Sequence, residues 1–142
     1  MKKFKILFLL SVLFISVSAV HADGNFTSLQ TEINEAGKGI EITQDYIYDN
    51  STDFGLKNGI LVNKTNFTIN GNGHTVDGAG QARIFNIQGN VTLLNIKIIN
   101  GFNNEMGGAI FSYSLNCENV TFIIFLQEHP DLLGRVRRAI AF

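Results

Sequence analysis

The sequence predicts an all-β chain: a right-handed parallel β-helix, a solenoid of about four turns whose short strands stack along one axis. Three observations predict it. A short phrase recurs as Asn66-Phe67-Thr68-Ile69, Asn90-Val91-Thr92-Leu93 and Asn119-Val120-Thr121-Phe122, at spacings of 24 and 29 residues. An earlier apolar phrase keeps step with it: Ile60-Leu61-Val62, Ile84-Phe85-Asn86-Ile87 and Ala109-Ile110-Phe111. Corners rich in Gly and Asn punctuate the chain at Asn70-Gly71-Asn72-Gly73, Asp77-Gly78-Ala79-Gly80, Gly89-Asn90, Asn100-Gly101 and Gly107-Gly108. Self-similarity at roughly 20 to 30 residues marks repeats that bury an apolar face only by stacking on their neighbours. Matching the copies places Phe67, Val91 and Val120 in one interior column and Ile60, Ile84 and Ile110 in another. Each side chain so buried contributes on the order of 1.5 to 3 kcal/mol.

Taken in order, residues 1–22 read as a signal peptide. Lys2, Lys3 and Lys5 form a basic start, Ile6 to Val17 is apolar, and the small residues before Asp23 place cleavage after Ala22. The apolar run is shorter than the roughly 18 to 20 residues of a membrane-spanning helix, so no span is expected after signal removal. Residues 23–38 read as an N-terminal capping helix over the open end of the first turn. Thr27 or Ser28 is the candidate cap, Leu29, Ile33 and Ala36 share one face, and Gly37 is the candidate left-handed stop. The repeats occupy 39–122. Ile40 to Thr43 and Tyr46 to Tyr48 alternate as strands do, and Asp49 to Asp53 forms a loop. From 55 to 122 the density of Gly and β-branched residues argues against helix.

Residues 123–142 depart from this pattern. Asparagine is absent after Asn119, and Arg135, Arg137 and Arg138 crowd together where the preceding chain has only Arg83. Pro130 followed by Leu132, Leu133, Val136 and Ile140 reads as an amphipathic helical tail. It is either a C-terminal cap or the frame-shifted end of a longer reading frame, and the abrupt change in composition favours the second. If this tail leaves the last strand uncovered, edge-to-edge self-association is expected.

The formal net charge is −1, and removing Lys2, Lys3 and Lys5 takes it to −4. No basic stripe interleaves with aromatics, so nucleic acid is not an expected partner. Cys117 is the single cysteine, which excludes an intramolecular disulfide. It reads as a small buried residue at a turn, the alternatives being an intermolecular bridge or a reactive thiol. Glu118 beside it would raise its pKa.

Six sequons follow residue 22: Asn25, Asn50, Asn63, Asn66, Asn90 and Asn119. The last five are the glycosylation candidates, with Asn50 and Asn63 in loop-like surroundings. Stacked corner asparagines also hydrogen-bond along a ladder, which accounts for many of them without modification. Catalysis by a β-helix requires clustered carboxylates, and between Phe54 and Asn104 the chain has one acid, Asp77. Lys57, Lys64, His74, Arg83 and Lys97 are scattered singly and read as solvated. Asp45, Asp49 and Asp53 are a weak calcium candidate, with loop solvation the simpler account. No catalytic, cofactor-binding or metal-binding residue is expected.

Phe67-Thr68-Ile69-Asn70-Gly71-Asn72-Gly73-His74-Thr75-Val76-Asp77-Gly78 resembles the opening turn of the right-handed parallel β-helix repeat proteins known as adhesin-like surface proteins, notably of methanogenic archaea. Arg83 to Ile87 and Leu94 to Gly101 resemble their second turn. Gly107-Gly108-Ala109-Ile110 is similar to the Gly-Gly-Ala-Ile motif of those proteins and of bacterial polymorphic outer-membrane proteins. The resemblance spans residues 25–122. It implies a secreted or cell-surface, non-enzymatic domain that contacts glycans or neighbouring cells. The alternatives are a carbohydrate-active β-helix enzyme, lyase or hydrolase, and a non-functional fragment of a longer adhesin.

Overall fold

The computed structural model describes residues 23–123. The expected signal segment with its Ala22 cleavage site, and residues 124–142 of the expected tail, lie outside the described residues. The elements in order are β1 (Gly24–Asn25), α1 (Phe26–Glu35), β2 (Gly39–Glu41), β3 (Tyr46–Ile47), a 3₁₀ turn (Phe54–Leu56), β4 (Ile60–Val62), β5 (Thr65–Asn70), β6 (Thr75–Asp77), β7 (Phe85–Ile99) and β8 (Ile110–Ile123). The 3₁₀ turn begins just ahead of the region where helix was argued against, and no α-helix follows it among the described residues.

Every strand pairing among the described residues is parallel. Successive stretches of β7 meet β4, then β5, then β6, while β8 runs along the other side of β7. The result is one curled sheet wrapped around an apolar interior. Its inner side is a continuous run of buried Ile, Val, Leu and Phe, including Ile60, Phe67, Ile69, Phe85, Ile87, Val91, Leu93, Ile96 and Ile98. Apolar residues sit above apolar residues as far as β7, and β8 adds Cys117 and Ser112 to two of the columns. Ile40, Ile69, Leu93 and Cys117 share one register column, Tyr46, Val76, Ile98 and Phe122 another, and Val62, Ile87 and Ser112 a third.

Two columns differ from those that phrase matching assigns. Phe67 and Val91 stack as expected, but Leu115 lies above Val91, and Val120 lies above Ile96. Ile60 pairs with Phe85, not with Ile84. The reason is that one layer contains more than one corner, and Asn followed by a strand suits each of them. Asn95 and Asn119 are equivalent corners, both left-handed at φ 48° and 53°. Asn66, at φ 54°, is instead the extra residue of a bulge where the β5–β7 register shifts. The third copy of the phrase therefore serves a different corner from the first two. On the faces that β4 and β5 begin, vertical neighbours from there onward repeat at 24 to 25 residues, as Ile60 to Phe85 and Val91 to Leu115 show, whereas the step from β2 to β5 is 29, as Ile40 to Ile69 shows.

Helix α1 forms at the expected place but with different ends. Its N-cap is Asn25, whose side chain accepts from the Ser28 amide at 2.8 Å while the Ser28 hydroxyl accepts from the Asn25 amide at 3.1 Å. Thr27 and Ser28 are thus inside the helix. It stops at Ala36 in an extended conformation, and Gly37 is not left-handed. The buried face is Phe26, Leu29 and Ile33, with Ala36 partly buried. Phe26 meets Tyr48 edge-on at 5.4 Å between ring centroids.

The helix also covers a strand edge. The Gln30 side-chain amide donates to the Leu61 carbonyl at 2.9 Å and accepts from the Leu61 amide at 2.7 Å. A side chain thus reproduces both bonds of a ladder partner and satisfies the edge of β4.

Candidate functional site

Asparagine side chains are the main polar feature of the fold. Asn119 donates through Nδ2 to Asn95 at 2.8 Å, Asn95 to Asn70 at 3.3 Å, and Asn70 to the Glu41 carboxylate at 2.8 Å. Asn72 donates to the same Glu41 oxygen at 3.0 Å. All donors point one way and the chain of amides ends on a charged acceptor, so the bonds polarise each other. The ladder anticipated from the sequence exists, but it runs through Asn70 and Asn95 and not through Asn66 and Asn90.

The sequons separate by what their side chains do. Asn25 is spent on the helix cap and on Thr52. Asn119 belongs to the ladder, and Asn50 accepts from the Tyr48 hydroxyl at 3.3 Å. Asn63, Asn66 and Asn90 are exposed, with no side-chain hydrogen bond among the described residues, and all three lie near the corner where β4 passes to β5.

The three loop aspartates diverge. Asp53 is not solvated: it is 1% exposed, and its carboxylate accepts from the amides of Phe26, Thr27 and Asp49 and from the Thr27 hydroxyl, at 2.6 to 3.0 Å. It fastens the first turn of α1 to the following loop. Asp49 accepts from the Ser51 hydroxyl and amide, which lower its pKa. Asp45 accepts from the Thr75 amide at 2.9 Å and meets His74 Nδ1 at 3.0 Å. The Thr75 bond holds its carboxyl below the ordinary value; burial opposes it, and His74 and Lys97 add smaller lowering effects. His74 is therefore not a lone surface histidine; with Asp45 it braces the β2–β3 connection against β6. The three carboxylates accept from different groups and do not gather as one cluster of metal-ligating side chains among the described residues.

Cys117 lies on β8 and is exposed, not buried at a turn. Its pKa is raised by partial burial and not by Glu118. The thiolate, which is the reactive form, is disfavoured there.

Arg83 is the residue that composition most misrepresents. It is 7% exposed. Its guanidinium donates from Nε to the Gly107 carbonyl at 2.8 Å, from Nη1 to Asn58 at 3.3 Å and from Nη2 to Met106. It also lies over the Phe111 ring at 5.3 Å. Lys64, likewise expected to be solvated, donates to the carbonyls of Asn34 and Ala36 and lies over Phe67.

Arg83 ties together two loops that form the rims of a groove of about 250 Å³, lined by Lys57, Asn58, Gln81, Phe102, Asn103, Asn104 and Glu105. Asn103 Nδ2 reaches Asn58 Oδ1 across it at 3.3 Å, and Asn103 Oδ1 accepts from the Glu105 amide at 2.9 Å. The Phe102 amide donates to the Ala82 carbonyl at 2.8 Å, which holds that ring at the rim with 45% of the residue exposed. Glycine is required beneath: Gly59 is at φ 100°, and a Cβ there would meet the Asn86 amide nitrogen at 3.0 Å. Gly107 is also left-handed, at φ 68°. The Gly107-Gly108-Ala109-Ile110 motif does not line the groove but anchors the C-terminal end of the loop that carries Phe102 to Glu105. Its Gly107 carbonyl faces Arg83, and its Ala109 carbonyl accepts from the amides of Ile84 and Phe85.

Among the described residues this groove joins an exposed aromatic ring, four carboxamides, one ammonium and one carboxylate. Neither His74 nor Asp45 lines it. Such a set hydrogen-bonds hydroxyls and stacks on a flat apolar face. No sequence motif announced it, because its members come from three separate loops. Comparison with known proteins identifies no relative: no family model, curated protein or solved structure matches the chain.

Proposed function

We propose that the chain is a secreted or cell-surface parallel β-helix module of the adhesin-like kind, about four turns long, that contacts glycans without transforming them. The parallel, in-register columns and the amide ladder support the coil. The observation that carries the function is the groove with preset rims: Phe102 provides a stacking surface, and Gln81 and Asn104, whose side chains make no hydrogen bond among the described residues, provide donors and acceptors for hydroxyls, with Asn58 Nδ2 a further donor. One carboxylate, Glu105, lines it, whereas glycosidic hydrolysis by acid and base draws on two. That composition favours retention of a sugar over its cleavage.

The test is a glycan array probed with the chain and with Phe102→Ala. Binding by the wild type, lost by at least tenfold in the variant with an unchanged circular dichroism spectrum, is the expected result. Wild-type protein that binds no glycan would contradict the reading.

A further inference from the structure

We infer that the groove selects an anionic sugar, a pyranose bearing a carboxylate or sulfate, with Lys57 as the specificity-determining residue and Glu105 as a brake on affinity. The inference rests on the glycan-binding reading and narrows it to a ligand class.

The charge balance carries it. Lys57 lines the groove, is exposed and forms no ion pair among the described residues. Arg83 stands directly behind both rims. Its charge is met there only by carbonyl dipoles and the Phe111 face, since the one ion pair among the described residues is His74 with Asp45. A guanidinium presents five N–H donors, and three are used. A buried cation without a carboxylate partner makes the adjoining cavity positive, and it acts through a medium of lower dielectric than water. Among the described residues the lining holds one cation, Lys57, and one anion, Glu105, and Arg83 behind the rims adds a second positive group that no carboxylate meets.

The size fits one ring: about 250 Å³ lies below the range typical of drug-sized ligands. A sugar resting its apolar face on Phe102 would put ring hydroxyls on the carboxamides and its anionic substituent on Lys57. Glu105 on the same lining would repel that substituent, so removing its charge should strengthen binding.

The test titrates the full chain with oligogalacturonate, with a sulfated galacto-oligosaccharide and with the neutral galacto-oligosaccharide, each at low and at physiological ionic strength. Expected is binding of one or both anionic sugars at least tenfold tighter than the neutral one, weakening as salt rises. The two anionic arms separate carboxylate from sulfate. Lys57→Gln should erase that preference while leaving weak neutral binding, and Glu105→Gln should tighten the anionic ligand severalfold. Both side chains are exposed, and circular dichroism checks that the variants fold. Equal binding of neutral and anionic sugars, or a Lys57→Gln variant that keeps the preference, overturns the anionic selection and leaves the groove reading standing. Failure of all three sugars to bind the wild type overturns the anionic selection, and only the absence of binding across the glycan array overturns the groove reading as well.

Discussion

Single residues in this protein are governed by what surrounds them more than by their type. Asp53 shows this most sharply, since a loop carboxylate that reads as solvated is instead the acceptor for three amides and a hydroxyl. Removing it leaves buried donors unsatisfied, so Asp53→Ala should destabilise the protein by about 2 to 4 kcal/mol in urea unfolding. Tyr46 is 1% exposed, and its hydroxyl donates to Glu32 at 2.7 Å. Burial first, then that carboxylate, push its pKa up to about 12. Because the folded value is raised, the stability it contributes is complete below the ordinary value of 10.0 and is lost as pH climbs through about 12. Absorbance titration should show a tyrosine step near pH 12, and Tyr46→Phe should remove that late step. Asp45 has the opposite sign. Its lowered pKa supports the fold above the ordinary 3.8 and is lost as pH falls through the folded value, so the advantage over Asp45→Asn should shrink in acid.

At the scale of elements, apolar alternation located the strands because parallel stacking imposes the same burial on each layer. The helix was legible for a similar reason, since Leu29 and Ile33 mark its buried face. Its cap was misplaced because Asn25, Thr27 and Ser28 are all competent N-caps, and only the distant Asp53 decides among them. Corners were harder still. Asn95 sits within the long strand β7 beside Leu94 and Ile96, yet it turns left-handed and links two neighbours in the amide ladder. Asn95→Ala loses both bonds and places a Cβ residue poorly suited to φ 48°, so it should cost about 2 kcal/mol. Asn95→Gly keeps the backbone at ease and should cost about half as much. Ser112 is the converse case. Its hydroxyl is buried without a partner among the described residues, above Val62 and Ile87. Ser112→Val extends that apolar column and should raise stability by about 1 kcal/mol in the same unfolding assay.

For the whole molecule, the repeat in the sequence carried the parallel, layered character of the sheet but not its register. A phrase of four residues reports a corner followed by a strand, and that unit occurs several times in each layer. The groove was invisible for a related reason. Lys57 and Asn58 follow the 3₁₀ turn, Gln81 follows β6, and Phe102 to Glu105 follow β7; the fold, and Arg83 within it, brings these loops together. A buried arginine whose hydrogen bonds all go to main-chain carbonyls leaves no pattern of paired charges in the sequence.

Register is therefore the claim on which the coil, the ladder and the groove all depend. Methyl and aromatic nuclear Overhauser contacts in isotope-labelled protein measure it directly, since parallel neighbours stand about 4.8 Å apart. Val91 is expected to contact Phe67 below and Leu115 above, with Val120 contacting Ile96. Contacts from Val91 to Val120 in place of those to Leu115 would contradict the account.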